Sequence, residues 1–249
     1  MRRVPGQGPE PAEPADTVER ALVVTAHPDD VDFGAAGTVA RWTAAGITVS
    51  YLVLTDGQAG RSDDRVARTD IPAIRHAEQR AAAAIVGVQD VQFLGGVDGE
   101  LQVSLDLIRD IVAVIRNVRP QRVVAPSPER DWNRLQRSHP DHLAAGEATV
   151  QAIYPAARNP YAFPELRALG LEAWTVPELW LSAHPAPNHP VDVTDTFDLK
   201  MQAIRAHESQ HPDPEILDHR MRESLGMAAR AFGLADGRLA EAFRVVHIP

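Results

Sequence analysis

Residues 21–30 are Ala21-Leu22-Val23-Val24-Thr25-Ala26-His27-Pro28-Asp29-Asp30, an apolar run that leads directly into a polar loop. The apolar run predicts a buried β-strand. A strand that ends at His27 delivers the next residues to its carboxyl end, where open α/β sheets bind their ligands. Pro28 fixes its own φ and stiffens the loop, so His27 and Asp30 can fold back on one ion while Asp29 points elsewhere, although spacing alone does not separate the two acids.

A second polar motif, His139-Pro140-Asp141-His142, opens an Ala-rich stretch with helical character. Ser138 is predicted to cap this helix, and Pro140 suits its first turn. His139 and His142 are three residues apart, so both can face one side of that turn. Each motif alone would also suit a surface turn. Together they offer the imidazole and carboxylate ligands, the open position and the nearby base of a catalytic zinc site.

The rest of the chain alternates between strand and helix patterns. Strands are predicted at residues 21–25, 47–55, 91–94, 122–125 and 178–182, with a last strand or tail at 243–248. Helices are predicted at residues 37–45, 72–86, 105–118, 140–153, 196–209 and 215–232. The alternation predicts an α/β protein, a Rossmann-like three-layer fold with a mostly parallel sheet in a single domain.

Two segments depart from this alternation. Residues 1–19 are crowded with Pro, Gly and Glu and cannot bury enough apolar surface to offset the entropy of ordering, so we predict a flexible Pro-rich tail. Residues 155–187 are rich in Pro and Ala and are predicted to be a long irregular insertion, apart from the strand at 178–182. The domain is therefore expected to occupy residues 20–249.

Composition excludes several kinds of partner. The net charge is −9 and no basic stripe appears, so a nucleic-acid partner is not expected. The chain has no Cys, so a metal must be held by His and carboxylate ligands. No apolar run has membrane-spanning length and no apolar core follows Met1-Arg2-Arg3, so we predict a cytoplasmic protein without membrane insertion. The sequence leaves open whether the chain forms a homo-oligomer.

Other enzyme classes fit the motifs less well. A nicotinamide oxidoreductase would use Gly34-Ala35-Ala36-Gly37 as a dinucleotide-binding turn and Asp56 as its ribose ligand. The Gly-x-Gly pattern is incomplete, and the carboxylates of the preceding turn would repel a pyrophosphate. The Gly-x-Ser-x-Gly motif of serine hydrolases and the His-Glu-x-x-His motif of zinc proteases are both absent.

The two polar motifs resemble those of the PIG-L/LmbE family of zinc-dependent de-N-acetylases, relatives of the mycothiol and bacillithiol pathway deacetylases. The resemblance covers roughly residues 20–249. It is supported by four further segments, Leu54-Thr55-Asp56-Gly57, Arg75-His76-Ala77-Glu78, Asp98-Gly99 and Ala206-His207-Glu208-Ser209-Gln210. It implies a metal-dependent hydrolase that removes an acetyl or other acyl group from an N-acylated amino sugar, such as an N-acetylglucosamine derivative, or from its conjugate.

The resemblance also implies how the metal is held. Zn²⁺ would be bound by His27, Asp30 and His142, although carboxylate and imidazole ligands also suit Fe²⁺, Co²⁺ or Ni²⁺. Asp29 would act as the general base and return its proton to the leaving amine. Two alternatives remain open, an amidase that cleaves a thiol-sugar conjugate and a non-catalytic module that binds metal or sugar.

Three more residues take roles from the resemblance. His139, as an imidazolium, would stabilise the oxyanion of the tetrahedral intermediate together with the metal. Asp141 would orient a histidine by hydrogen bonding. Asp98 would bind sugar hydroxyls, although its Gly-rich surroundings also suit a plain turn.

Two arginines are further candidates for substrate binding. The resemblance implies that Arg75 holds substrate, as an arginine does at this position in the family. Its spacing of three residues from Glu78 instead favours a solvated ion pair between the two side chains. Arg137 stands two residues before His139, where actinobacterial thiol-cofactor deacetylases carry Tyr, and could bind an anionic group, stabilise an oxyanion or close the pocket. His207, on a late helix, is predicted to pack or to cap.

Overall fold

The protein is described by a computed structural model that covers residues 18–60, 66–210 and 214–249. Nearly all of the predicted tail, residues 1–17, lies outside the described residues, so the tail and the domain boundary at residue 20 stay predictions. Among the described helices, none has the length and apolar character needed to cross a bilayer.

One sheet of seven strands forms the middle layer, in the order β3-β2-β1-β4-β5-β7-β6. The strands are β1 (Arg20–Thr25), β2 (Thr48–Thr55), β3 (Asp90–Gly96), β4 (Arg122–Pro126), β5 (Glu178–Ser182), β6 (His189–Asp192) and β7 (Ala240–His247). The first five strands pair in parallel, and β7 runs antiparallel to both β5 and β6. The order places β1 and β4 side by side, so the two polar motifs that follow these strands meet at one edge of the sheet.

Helices cover both faces of the sheet. They are α1 (Asp30–Ala44), α2 (Ile71–Ile85), α3 (Leu105–Val118), α4 (Pro140–Gln151), α5 (Pro164–Ala168), α6 (Phe197–Arg205) and α7 (Pro214–Ala231), with a π-helical turn at Ala152–Ala157. The bounds of α3 agree with the sequence prediction because its signals are local. Ser104 Oγ accepts a hydrogen bond from Leu107 N at 3.1 Å at its start, and Pro120 follows its end.

The alternation of side chains along β1 shows the three layers directly. Leu22 and Val24 pack into a buried cluster with Ile111 of α3. Their neighbours Ala21 and Val23 pack on the opposite face with Val39 of α1. A strand that buries both faces is typical of a parallel sheet between two helical layers. The predicted three-layer α/β fold is therefore confirmed.

The start of α1 differs from the prediction. The helix begins at Asp30 and not at residue 37, because the carbonyl of Asp29 already accepts a hydrogen bond from Asp32 N at 2.9 Å. Gly37 lies inside the helix for a packing reason. A Cβ at this position would lie 2.8 Å from Cβ of Val193, so only glycine allows the observed close approach.

The predicted irregular insertion is also wrong in part. Residues 155–187 contain the short helix α5, in addition to the expected strand β5. The edge strand β6 follows and was not predicted, because Pro190 weakens the strand pattern there. Proline is tolerated at the edge of a sheet, where no neighbouring strand needs its missing N–H. Helix α6 ends at Arg205, before the predicted end at residue 209.

A buried ion pair anchors α1 to α6 and β7. Lys200 Nζ lies 2.7 Å from Glu241 Oε1, and both side chains are almost fully buried. Glu241 also accepts hydrogen bonds from the main-chain N–H groups of Gly37 at 3.0 Å and Thr38 at 2.8 Å. Lys200 donates to the carbonyl of Asp32 as well, at 2.7 Å. The pair thus holds the first half of α1, the helix that begins at Asp30.

We expect Lys200→Met to lower the free energy of unfolding by about 3–5 kcal/mol, because the mutant leaves the Glu241 carboxylate buried without its counterion. Urea denaturation followed by circular dichroism measures this change. Arg167→Ala is the control, since Arg167 and Glu172 form an exposed pair at 3.4 Å whose loss should cost less than about 1 kcal/mol. Equal stabilities of the Lys200 and Arg167 variants would contradict the anchoring role.

Candidate metal centre

The turn between β1 and α1 separates two adjacent carboxylates. Asp29 has φ 90° and ψ −28°, a left-handed conformation that is uncommon for a residue other than glycine. Its main-chain N–H donates to Oε1 of Gln79 at 2.7 Å, which holds the turn in place. As a result Asp30 faces His27 and His142, whereas Asp29 faces Arg75.

The second motif is fixed at the start of α4. His139 is the cap of this helix, because its Nδ1 accepts a hydrogen bond from Asp141 N at 3.2 Å. The predicted cap, Ser138, is wrong, since its Oγ accepts from Asp131 N at 2.8 Å and stabilises the preceding loop. His142 lies in the first turn of α4, and a hydrogen bond to the main chain of Arg137 holds its ring.

His27, Asp30 and His142 converge on one point. The distance from His27 Nδ1 to Asp30 Oδ2 is 3.3 Å, and that from His142 Nε2 to Asp30 Oδ1 is 3.0 Å. One ligand atom from each residue lies within 4.8 Å of the others. Bonds of about 2.0–2.1 Å in a tetrahedron separate neighbouring ligand atoms by about 3.3 Å. The three residues therefore fit a divalent metal with nitrogen and oxygen ligands.

The other nitrogen of His27 faces a different set of carboxylates. His27 Nε2 lies 3.1 Å from Asp98 Oδ1 and 3.1 Å from Asp141 Oδ2. Asp141 is fully buried and also accepts hydrogen bonds from the main chain of Gly99 at 2.7 Å and Leu101 at 3.2 Å. A carboxylate that accepts from the far nitrogen of a metal-ligating histidine orients the ring. The predicted orienting role of Asp141 is compatible with this position.

A second group on this side also meets the distance criterion for a metal. It consists of His27, Asp98 and His139. A neutral imidazole offers one nitrogen to a metal while the other nitrogen carries the proton. The two groups therefore compete for His27. Asp98, predicted to contact sugar, lies directly against this imidazole, and its substrate contact stays a prediction.

The carboxylates around His27 favour a positive charge at the site. Burial opposes protonation of His27, but hydrogen bonds and charges from Asp30 and Asp98 outweigh it and raise its pKa to about 11. Burial likewise opposes the charged forms of Asp30 and His142, yet their mutual attraction lowers the pKa of Asp30 far below its ordinary value and raises the pKa of His142. A divalent metal would replace these bound protons, since ligands must be deprotonated to coordinate.

Arg75 contacts the carboxylate that faces away from this cluster. Its Nη2 lies 3.2 Å from Asp29 Oδ2, and its side chain is almost fully buried. Its Nη1 donates to the carbonyl of Gly57 at 2.7 Å. A Cβ at Gly57 would lie 2.3 Å from this nitrogen, so the Asp-Gly turn after β2 leaves room for the guanidinium. Arg75 therefore positions Asp29, and its predicted contact with substrate stays a prediction.

The predicted solvated ion pair between Arg75 and Glu78 is wrong. Glu78 instead accepts hydrogen bonds from the main-chain N and from Oγ of Ser209, both at 2.8 Å. This contact ties α2 to the segment that follows α6. Two of the segments that carried the family resemblance thus meet through Glu78 and Ser209.

A buried polar chain continues beneath Asp29. Gln79, whose Oε1 accepts from Asp29 N, donates through Nε2 to Asp32 Oδ2 at 3.0 Å. The same oxygen lies 2.8 Å from His207 Nε2, and the three side chains are fully buried. Sequence reasoning missed Gln79 and Asp32. Gln79 stands one helical turn after Arg75 on the same face of α2, which is the signal that could have found it.

His139 and Arg137 border the metal cluster. The ring of His139 lies 4.9 Å from that of His27. His139 Nδ1 accepts a main-chain N–H, which leaves Nε2 as the ring nitrogen that can donate toward the site, and the expected role of His139 at the oxyanion stays a prediction. Arg137 is half-buried, and burial lowers the pKa of its guanidinium. It lies beside Asp30 and His142 along a cavity wall, and its role toward substrate stays a prediction.

Comparison with known sequences adds independent information. The model of the PIG-L family, described as GlcNAc-PI de-N-acetylase, matches residues 22–153, more than half of the chain. A diacetylchitobiose deacetylase of Thermococcus kodakarensis is 35% identical over 201 residues, 81% of this chain and 73% of that protein. A probable N-acetyl-alpha-D-glucosaminyl L-malate deacetylase 2 of Bacillus cereus is 34% identical over 194 residues, 76% of this chain and 82% of that protein.

A solved structure supports the same relationship. The N,N'-diacetylchitobiose deacetylase of Pyrococcus horikoshii, in complex with its inhibitor MPG, superposes with a TM-score of 0.85 and 29% identity. The match covers 92% of this chain and 84% of that protein. Both polar motifs lie within the residues that the family model matches. From the family match and the similarity to these relatives, the chain belongs to the PIG-L family.

Proposed function

We propose that the protein is a zinc-dependent hydrolase that removes an acetyl or other acyl group from an N-acylated amino sugar, such as an N-acetylglucosamine derivative, or from its conjugate. The names of the relatives support this class of substrate. The observation that carries the proposal is the separation of Asp29 from Asp30. Asp30 faces the histidines that would hold a metal, while Asp29 stands beside them with a different partner.

His27, Asp30 and His142 would hold the metal in this proposal. When bound, a divalent metal supplies Lewis acidity toward the amide carbonyl and lowers the pKa of an attacking water. Iron, cobalt or nickel would suit the same ligands, so the identity of the metal belongs to the proposal as well.

Asp29 would act as the general base. Its carboxylate is pinned by Arg75 at 3.2 Å and its main chain by Gln79 at 2.7 Å, so it can accept a proton from water without a large rearrangement. The same carboxylate would then deliver the proton to the departing nitrogen. This arrangement argues against the alternative of a non-catalytic binding module, which would not need a positioned base.

His139 would stabilise the negative oxygen of the tetrahedral intermediate. Its Nδ1 is occupied as the cap of α4, which leaves Nε2–H free to donate toward the site. A donor whose orientation is fixed in advance needs little reorganisation when charge develops. Asp98 and Arg137 border the site and would contribute contacts to the sugar or to its substituents.

The ligand assignment leads to a prediction about metal content. We expect the purified protein to carry about one divalent metal per chain and His142→Ala to remove most of it, because two protein ligands cannot complete the site. Elemental analysis after identical dialysis measures this. His76→Ala is the control, since His76 pairs with Asp56 at 2.9 Å outside the metal cluster. Full metal content in the His142 variant would refute the assignment.

The division of labour between the adjacent acids is tested by two variants. Asp30→Asn should bind metal more weakly, because a neutral amide oxygen is a poorer ligand than a carboxylate. Asp29→Asn should keep the metal and lose about 10²–10⁴-fold in kcat, the usual contribution of a positioned base. The assay is amine release from N-acetylglucosamine derivatives at saturating zinc.

The outcomes of this pair separate the competing assignments. Loss of metal in Asp29→Asn with retention in Asp30→Asn would reverse the two roles. Full activity of Asp29→Asn would exclude it as the base. Turnover of thiol-sugar conjugates without any turnover of N-acetyl sugars would favour the amidase.

A further inference from the structure

A large cavity adjoins the metal centre. It has a volume of about 810 Å³, and Asp30 and His142 form part of its wall. Small-molecule sites in proteins occupy about 300–1,000 Å³, so the cavity has the size of a ligand site. The methyl group of an acetyl is about as large as a water molecule, which takes about 30 Å³. Removal of acetyl alone therefore leaves most of this space without a role.

One wall of the cavity is an apolar face of α7. Its residues follow helical spacing and are Met221, Leu225 and Ala228, and Phe232 extends the wall directly after the helix. Phe33 of α1 and the two prolines of the β5–β6 connection, Pro185 and Pro187, line the cavity as well. Charged and polar residues also contribute, among them Arg134, Arg137 and His184. The cavity thus combines an extended apolar wall with a polar part.

The groups proposed to handle the amine lie elsewhere. The described residues that line the cavity do not include Asp29, Asp98 or His139. The imidazole of His27 divides the two sides. Its Nδ1 faces Asp30 at 3.3 Å, and its Nε2 faces Asp98 at 3.1 Å.

The chemistry of amide hydrolysis assigns a direction to each half of the substrate. Water adds to the carbonyl carbon, the C–N bond breaks, and the proton taken from water goes to the nitrogen. If Asp29 both takes and delivers this proton, the nitrogen and its sugar must lie on the side of Asp29. In a trans amide the carbon chain attached to the carbonyl and the substituent on the nitrogen lie on opposite sides of the C–N bond. The acyl group is then directed toward Asp30, His142 and the cavity.

We propose that this cavity binds the acyl chain of the substrate and that the preferred substrate is an N-acyl amino sugar whose apolar acyl group is longer than acetyl. This inference rests on the proposed function, because it uses Asp29 as the group that protonates the amine. Burial of a methylene contributes about 0.8 kcal/mol, which corresponds to about fourfold in kcat/KM for each added carbon.

The test uses the zinc-loaded full chain and glucosamines acylated with acetyl, butanoyl, hexanoyl and octanoyl groups. We expect kcat/KM for amine release to rise by about fourfold per methylene until the chain fills the cavity. A second readout is the calorimetric binding of acetate, butanoate, hexanoate and octanoate, which are products and undergo no turnover. Their affinities should rise in parallel with chain length.

A matched pair of variants locates the effect. Ala228→Phe fills the apolar wall from a half-buried position and should abolish the gain for hexanoyl and octanoyl, so that kcat/KM no longer rises with chain length. Glu223→Phe adds the same side chain at an exposed position of α7 and should change none of the values. An equal loss on every substrate in Ala228→Phe would contradict the assignment.

Failure of this inference is distinguishable from failure of the proposed function. Fast hydrolysis of acetyl with a steady decline for longer chains, and acid binding independent of length, would overturn the acyl cavity and retain the deacetylase. Absence of amine release from every substrate would overturn the proposed function. In that case the fatty-acid series still decides the cavity, since length-independent binding overturns it and a rise with length that Ala228→Phe abolishes supports it.

Discussion

The imidazole of His27 lies between two sets of carboxylates, and the site depends on how its two nitrogens are used. Asp30 approaches Nδ1, while Asp98 and Asp141 approach Nε2. The negative charge that surrounds this ring is costly unless a cation balances it. A proton on His27 provides that balance in the protein alone, which is why its pKa is raised to about 11. A divalent metal would provide it with a greater charge and leave a carboxylate to orient the ring.

The left-handed turn at Asp29 gives two neighbouring carboxylates different tasks. This conformation is uncommon, and the surrounding contacts hold it from several directions. Gln79 binds its main chain, Arg75 binds its side chain, and the buried pair of Lys200 and Glu241 fixes the helix that follows. The elements that supply these contacts come from distant parts of the chain. The overall fold thus maintains a local geometry that the motif alone would not adopt.

Much of the fold follows from local sequence signals. The strands at β1 and β5 and the whole of α3 are predictable because apolar periodicity, a serine cap and a following proline all lie within a few residues. The start of α1 is not, because Gly34 and Gly37 are poor helix formers and Gly37 is required here by close packing against Val193. The edge strand β6 is missed because its proline opposes the strand pattern.

The candidate site also has a part that local sequence predicts and a part that depends on long-range contacts. His27, Asp30 and His142 could be chosen from the sequence because both motifs follow buried strands, and the order of the sheet brings those strands together. Gln79, Asp32 and His207 could not be joined into one network, since their contacts span 47 to 175 residues of chain. The cavity beside the metal centre could likewise not be predicted from the sequence, because distant segments form it, namely α1, α7 and the β5–β6 connection.

The position of the metal tests the central claim most directly. Anomalous diffraction at the zinc absorption edge from crystals of the zinc-loaded protein would locate it. The account predicts one ion bonded to His27 Nδ1, a carboxylate oxygen of Asp30 and His142 Nε2 at about 2.0–2.2 Å, with Asp29 outside bonding distance. An ion bonded instead to His27 Nε2, Asp98 and His139 would contradict it and would assign the catalytic groups to the opposite side of the ring.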